Sequence, residues 1–429
     1  MLSPGSREPT AGRVADLLRP RLRRWAPWTI GLVACGVVAV GVPLTISYDG
    51  HEYLRSGFAI LDGQMLEHYQ WIREPGYPLF AAVSVSVGGP RLLIFLQALM
   101  LLLAIRLLWL AANSMLERAA LRISPVFPVI AVALVWGYAT TVLQQAAILL
   151  GIATAMLGFA RLRTGTRTWP WLLAGAGLVL GLVSAPVLLG LLAAIGVIVL
   201  VSLRDDLGRR SVVGFLVVLG VGTAVLAPWY AFKLSQDMSI SDSTGARNFW
   251  EASNYQGFGL ADRIAAVPST LLALSSGGIE FQQGLILAPG YENREFGLPQ
   301  FSPAESCGRR QPYQGLPGFS RAVEQALQDC VATQPVTMVS AADRILSELL
   351  ALVALAGLAG FVLVLAWVPR TKLDWTGRAI LALPWISLGP YAWATGAISR
   401  YGLAAFCLDV VLIGAAAQLA AMKWRAGSG

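Results

Sequence analysis

Charge is scarce in this sequence. Only 13% of its 429 residues are Asp, Glu, Lys or Arg, roughly half of the 25% or so that a water-soluble domain carries. Histidine occurs twice and cysteine four times. That scarcity leaves no paired cysteine–histidine ligand set for a structural zinc site, and there is no C-x-x-C pair for dithiol chemistry. The glycine-rich phosphate loop that ends in Lys-Ser/Thr is also missing, which argues against a P-loop ATPase. No Ser–His–Asp order is apparent, and no internal repeat of the kind found in transporters is visible.

What fills the chain instead is apolar residue, 56% of the total. It comes in repeated runs of about 17–25 residues, the length that crosses a bilayer as a helix. The expectation is an all-α polytopic membrane protein. Residues 1–24 are polar and basic and read as a cytoplasmic tail rather than a cleaved signal peptide, because the apolar run after them is too long for an h-region. A first span is expected over 25–46. A short apolar piece at 77–89, stopped by Gly88, Gly89 and Pro90, should lie in the interface. Spans follow at 92–112, 125–139 and 142–160. The run 171–203 is too long for one span, and Ser184-Ala185-Pro186 should divide it. Further spans are expected at 212–230, 345–368, 379–395 and 401–422, followed by a short tail over 423–429.

The net charge of +8 sits mostly in short connectors: Arg19 to Arg24, Arg161 to Arg167, Arg204 to Arg210, Arg370 to Arg378, and Lys423 with Arg425. Basic connectors stay cytoplasmic, so both termini fall inside and the count of spans is about ten. This distribution fits anionic lipid headgroups and not nucleic acid. The chain then divides into a transmembrane module at 25–231, a large external loop at 232–341 and C-terminal helices at 342–422. The loop is Gly-, Ser- and Pro-rich, with an amphipathic helix expected near 319–331. An oxidising exterior permits a Cys307–Cys330 disulfide there, against two unpaired thiols. Cys35 and Cys407 fall in apolar runs.

The ionisable residues gather in the first external loop, 48–90, just after the first span. Asp49, His51, Glu52 and Tyr53 come first, and Trp71, Arg73, Glu74 and Tyr77 follow. The apolar spacing of Tyr53, Leu54, Phe58 and Leu61 predicts an amphipathic helix on the bilayer surface with its polar face turned to the protein mouth. A carboxylate held near headgroup depth by a rigid helix end is partly shielded from water, which makes it a better base. Asp49, His51 and Glu52 could hold a divalent cation such as magnesium or manganese, or could do no more than decorate a helix end. Arg73 and Arg400 are external arginines near the mouth, suited either to a phosphate or to local ion pairs. Tyr77, Trp71 and Trp250 could stack on a sugar ring or belong to an aromatic belt. Asp409 and Glu348 are carboxylates in or near spans, each a candidate partner for an arginine, and Gln144 and Gln145 are candidates to line a cavity.

These residues resemble a known pattern. An aspartate after the first span in the form D-x-x-x-Y (Asp49 to Tyr53), a short amphipathic helix ending in Gly63, and R-E-P-G-Y-P (Arg73 to Pro78) are together similar to the polyprenyl-phosphate-dependent glycosyltransferases of the GT-C fold. The nearest likeness is to the protein mannosyltransferase and aminoarabinose transferase superfamily, family 39. Ala227-Pro228-Trp229 and Ser399-Arg400-Tyr401 echo two shorter motifs of that group. Family members often carry a basic residue just before the motif proline, where this chain has Glu74, with Arg73 one place earlier. The resemblance implies inverting transfer of a sugar from a polyprenyl-phosphate donor to an acceptor hydroxyl on a glycan, glycolipid or protein. It implies Asp49 as general base with Glu52 beside it, and Arg73 and Arg400 on the donor phosphate. It also implies a multi-pass protein of the plasma (inner) membrane with its active site facing the periplasm or exterior. The Arg-, Ala-, Gly- and Leu-rich composition is of the kind found in high-GC bacteria. The rival reading is a transporter, flippase or non-catalytic binder of lipid-linked glycans.

Overall fold

The structure, a computed structural model, describes residues 10–42, 44, 48–63, 74–142, 144–163, 169–184, 195–198, 208–235, 341–387 and 402–427. The elements there are helical: α1 Thr10–Gly41, α2 Tyr48–Leu61, α3 Gly76–Leu116, α4 Val126–Val135, α5 Gly137–Thr140, α6 Gln145–Leu162, α7 Trp169–Ser184, α8 Gly208–Ser235, α9 Ala341–Trp367, α10 Trp375–Leu381 and α11 Leu403–Gly427. Among the described residues, three helical stretches are long and apolar enough to cross a membrane: Gly76–Ala119, Gln145–Leu162 and Leu403–Ala426. Trp25–Gly41, Val126–Val135, Trp169–Ser184 and Leu355–Trp367 are shorter apolar helices. Among the described residues the protein is all-α, and its apolar helices are those of a membrane-embedded chain.

Its outward faces agree with that solvent. On α1 the exposed residues are Ile30, Val33, Val37 and Val40, a stripe at helical spacing. On α8 they are Val213, Leu216, Val217, Val221 and Val225. Such a stripe would be an aggregation surface in water and is the ordinary lipid-facing side of a bundle helix.

The long helix α3 is two helices joined at a bend. Gly88 has φ −139° and ψ 16°, and Gly89 has φ 69° and ψ −172°. Only glycine adopts the second conformation without strain. Pro90 follows, and its missing N–H costs little where a new helix begins. The lead segment 76–87 and the span beginning at Pro90 are therefore separate, as the Gly-Gly-Pro stop predicts. The region 125–139 differs modestly from the single span expected there. It breaks at Trp136 into α4 and α5, and the hydroxyls of Thr140 and Thr141 donate to the Gly137 carbonyl at 3.0 and 3.2 Å to close the turn.

Helix directions can be read from contacts. A Cβ on Gly31 would meet Leu102, and Trp28 lies against Trp109, so α1 and α3 run antiparallel. Gly214 of α8 lies against Trp171, and Gly222 against Leu178 and Leu182, so α7 and α8 are parallel. Gly357 meets Asp409 and Gly360 meets Ala416, so α9 and α11 are parallel too.

Helices α6 and α7 pack backbone to backbone. A Cβ on Gly158 would fall 2.5 Å from the Ala174 nitrogen, and one on Gly177 would fall 2.4 Å from the Ala155 nitrogen. Small residues let the two backbones touch, so dispersion replaces the hydrophobic drive that lipid does not supply. At the end of α6, Arg163 donates from Nε and Nη2 to Asp374 Oδ2 at 3.2 and 2.6 Å. Asp374 Oδ1 caps α10 by accepting from the Gly377 N–H at 2.7 Å. One carboxylate thus fastens two helices that are 211 residues apart in sequence.

By its place in an apolar run Asp409 is a candidate partner for an arginine. The structure corrects this: Asp409 is fully buried, and its Oδ1 accepts from Trp385 Nε1 at 3.1 Å. Trp385 is held in turn by stacking on Phe361 at 5.8 Å. An indole N–H satisfies a buried oxygen without bringing a second charge into the bundle.

Replacing Gly177 with valine should lower the thermal midpoint of the detergent-solubilised protein markedly, since a methyl group cannot pass the Ala155 backbone and overpacking of this kind costs about 1–3 kcal/mol or more. Gly36→Ala, where nothing lies within 4 Å, should be neutral or better. Equal midpoints for the two variants would contradict the packing.

Candidate functional site

The elements that carry the D-x-x-x-Y and R-E-P-G-Y-P motifs meet at one end of the bundle. Asp49 lies in the first turn of α2, whose helix ends in a turn with Gly63 at φ 68°. The side chains of Asp49 and His51 lie outside the described part, as do Trp71, Arg73, Trp250, Cys307, Cys330 and Arg400 and the loop over 236–340. The side chain of Glu348 on α9 is likewise outside it. Glu52, one turn beyond Asp49, is half-buried.

The face of α2 differs from the one expected. Tyr53, Leu54, Phe58 and Ala59 are all buried, and Leu61 alone of the predicted stripe is exposed, at 44%. A Cβ on Gly57 would fall 2.1 Å from the Pro78 carbonyl oxygen. The apolar face of α2 is therefore clamped on the lead segment of α3 rather than laid on lipid. The reason is packing: Gly57 permits close approach, and the large side chains on either side of it fill the seam.

Tyr53 and Tyr77 occupy that seam. Their rings meet edge to face at 5.0 Å, a favoured aromatic geometry. Tyr77 is 1% exposed, and its hydroxyl donates to Gln97 Oε1 at 2.6 Å. Gln97, itself fully buried, donates from Nε2 to the carbonyls of Ala139 at 2.8 Å and Thr141 at 3.2 Å. A relay of side chains thus runs from the R-E-P-G-Y-P motif through the spanning limb of α3 to the end of α5. The ring and hydroxyl of Tyr77 are both used within the fold, and Tyr53 is 2% exposed. The two tyrosines are core residues of the α2–α3 seam. Gln144 and Gln145 are buried nearby in the chain, at the start of α6.

Glu74 precedes Pro75, which begins α3, and is 4% exposed. The next residue, Gly76, packs so closely on Val183 that a Cβ would fall 2.2 Å from Val183 Cγ1. This brings the end of α7 to the same place, and the parallel pairing of α7 and α8 brings the end of α8 with it. There the charge of Glu74 reaches Tyr230 electrostatically. Lys233, in the last turn of α8, is fully buried. Its ammonium lies 5.5 Å from the Trp229 ring and 5.3 Å from the Tyr230 ring, and Trp229 stacks on Phe232 at 5.6 Å. A cation over two aromatic faces at a helix C-terminus is stabilised twice, by the ring quadrupoles and by the helix dipole.

Lys233 is the residue that the sequence reading missed. The signal was available: it stands four residues after Trp229, one helical turn beyond the Pro-Trp pair, at the first polar position after an apolar run. A carboxylate, a phenol and an ammonium therefore lie close together at the end where Asp49 begins α2. Such a set can bind an anion and move a proton. Among the described residues no group of three or more His, Cys, Asp or Glu could hold a metal ion.

No protein-family model matches the chain, and no curated protein or solved structure matches it significantly.

Gln97→Leu should destabilise the protein by about 2–3 kcal/mol, because it strands the Tyr77 hydroxyl and two buried carbonyls at once. Tyr77→Phe should cost about 1 kcal/mol, since it removes a single bond. Thermal unfolding in one detergent checks both, and a Gln97→Leu midpoint no lower than that of Tyr77→Phe would contradict the relay.

Proposed function

We propose that the chain is a membrane glycosyltransferase that moves a sugar from a polyprenyl-phosphate donor to an acceptor hydroxyl on a glycan, glycolipid or protein. The observation that carries this reading is the gathering at one bundle end of the start of α2, the buried Glu74 and the buried Lys233. Lipid-linked phosphates sit at the edge of the bilayer, which is where a bundle end lies. The reacting end faces outward, on the side opposite the arginine-rich connectors.

In the proposed step Asp49 accepts the proton of the acceptor hydroxyl. The acceptor oxygen forms its bond to the anomeric carbon as the bond from that carbon to the phosphate oxygen breaks, with inversion. The electron pair of the broken bond leaves on the polyprenyl phosphate. Charge develops on that phosphate, and cations fixed in advance stabilise it best where water is excluded. Lys233 is suited to this by its burial, and Arg73 and Arg400 are proposed to act beside it. Glu52 supports Asp49, with His51 beside them, and a magnesium or manganese ion bound by these side chains would add a further positive charge. Glu74 holds the local cations in position. Trp71 and Trp250 offer faces for the sugar, and the loop 236–340 selects the acceptor. Tyr53 and Tyr77 hold α2 at the angle this chemistry needs, and do so from below the substrate.

Asp49→Asn keeps the shape of the side chain and removes the base. Transfer from a panel of radiolabelled polyprenyl-phosphate sugars should fall by about 10²-fold or more, with donor binding retained. Unchanged transfer would remove the base assignment, and donor binding without turnover in the wild type would favour a non-catalytic glycolipid binder. Lys233→Met should raise the KM for donor at least as strongly as it lowers kcat. A change in neither would take Lys233 out of the phosphate site.

A further inference from the structure

The opposite end of the bundle carries a set of side chains that the transfer reaction does not use. Lys423 of α11 sits over the Trp367 ring at 4.5 Å. Three residues after Trp367, Arg370 sits over the Trp375 ring at 4.6 Å, and Arg378 approaches the same ring at 5.9 Å. Cations and indoles thus alternate along the connector between α9 and α10 and across to α11. Lys372 lies exposed in the middle of it.

The acidic residue of this connector is Asp374, and both its oxygens are engaged, by Gly377 and by Arg163. Asp374 offsets part of the Arg378 charge electrostatically, and its oxygens form no hydrogen bond with Arg370, Lys372 or Lys423. Arg378 is also fixed in place: its Nε donates to the Leu373 carbonyl at 3.1 Å, and its Nη2 donates to the Val368 carbonyl. It cannot swing away from Arg370. Burial lowers its guanidinium below the usual range, the Arg370 charge lowers it further, and Asp374 acts in the opposite sense. Like charges held together around one ring destabilise each other unless an anion sits between them.

The surroundings say what kind of anion. Leu352, Leu355 and Val362 form an exposed apolar face on α9, and that face runs directly into the cation set at Trp367. Trp367 and Trp375 are themselves 41% and 54% exposed, as indoles at the headgroup boundary are. A soluble anion would have no use for the apolar face, whereas a phospholipid would lay its acyl chains along it.

We infer that the α9–α10 connector, with Lys423, is a binding site for the phosphodiester headgroup of an anionic phospholipid. Arg370 and Lys423 supply the mobile charges, Arg378 the fixed one, and the two tryptophans hold the cations at headgroup depth. The site is distinct from the transfer centre and does not depend on that activity.

The test uses the full chain in mild detergent, with phosphatidylglycerol, phosphatidylcholine or inorganic phosphate added. Native mass spectrometry should show wild-type protein retaining phosphatidylglycerol over phosphatidylcholine by about 10-fold, and phosphatidylglycerol should raise the thermal midpoint. The double variant Arg370→Gln, Lys423→Gln changes two exposed side chains. It should keep its lipid-free midpoint, lose most of that preference and lose the phosphatidylglycerol shift. An undiminished preference in the variant would overturn the site. An equal shift from inorganic phosphate in the wild type would reduce it to a general anion site and overturn the lipid assignment. If the lipid-free midpoint drops, Arg370→Lys, which keeps the charge, replaces the double variant in a comparison with Arg370→Gln alone. Equal lipid retention by those two would again overturn the site.

Discussion

The bend at Gly88 and Gly89 is the constraint on which the candidate site depends. A straight α3 would carry residues 76–87 on along the line of the span, away from the bundle end. The left-handed conformation at Gly89 turns the lead segment aside instead, and the segment becomes a shelf. Helix α2 rests on that shelf through Gly57, Tyr53 and Phe58. The Tyr77–Gln97 bond then ties the shelf to the span beneath it, so the angle set by two glycines is held by a buried hydrogen bond. Remove either device and the start of α2, with Asp49 in it, loses its fixed relation to Glu74 and Lys233.

The two ends of the bundle are chemically unlike. One gathers carboxylates, a phenol and a single buried ammonium among packed aromatics. The other gathers arginines and lysines against exposed tryptophans. Between them the polar groups are few: Gln97 is held by backbone carbonyls, and Asp409 is held through one oxygen by the Trp385 indole while its other oxygen has no hydrogen bond among the described residues. Charge at the ends and single hydrogen bonds between them are what a low-dielectric interior permits. A catalytic site that handles a lipid-linked anion fits the edge of such a bundle better than its middle.

Much of this could be read in the residues. Gly88-Gly89-Pro90 announced the bend because no other tripeptide in an apolar run stops a helix so firmly. The lengths of the apolar runs marked α6, α9 and α11. The side to which α2 turns its apolar stripe was not legible. Periodicity says that Tyr53, Leu54 and Phe58 share a face, but lipid and protein interior look alike to it. Gly57, lying within that face, was the residue that pointed to protein contact. The partner of Asp409 escaped for a similar reason. Sequence distance between Trp385 and Asp409 carries no sign of contact, and the parallel pairing of α9 with α11 is a tertiary fact. The position of Lys233 was legible but its burial was not, since a lysine ending an apolar helix ordinarily reaches for water.

The glycine seam between α6 and α7 leads to a last consequence. It holds by contact between uncharged backbones, and nothing in it responds to ionic strength. The corner where Arg163 grips Asp374 is of the opposite kind, an ion pair with one partner partly open to solvent. Rising salt should therefore leave the α6–α7 seam untouched while weakening the Arg163–Asp374 pair. The protein has a salt-proof keel and a salt-sensitive latch, and under stress it would come apart from the latch inward.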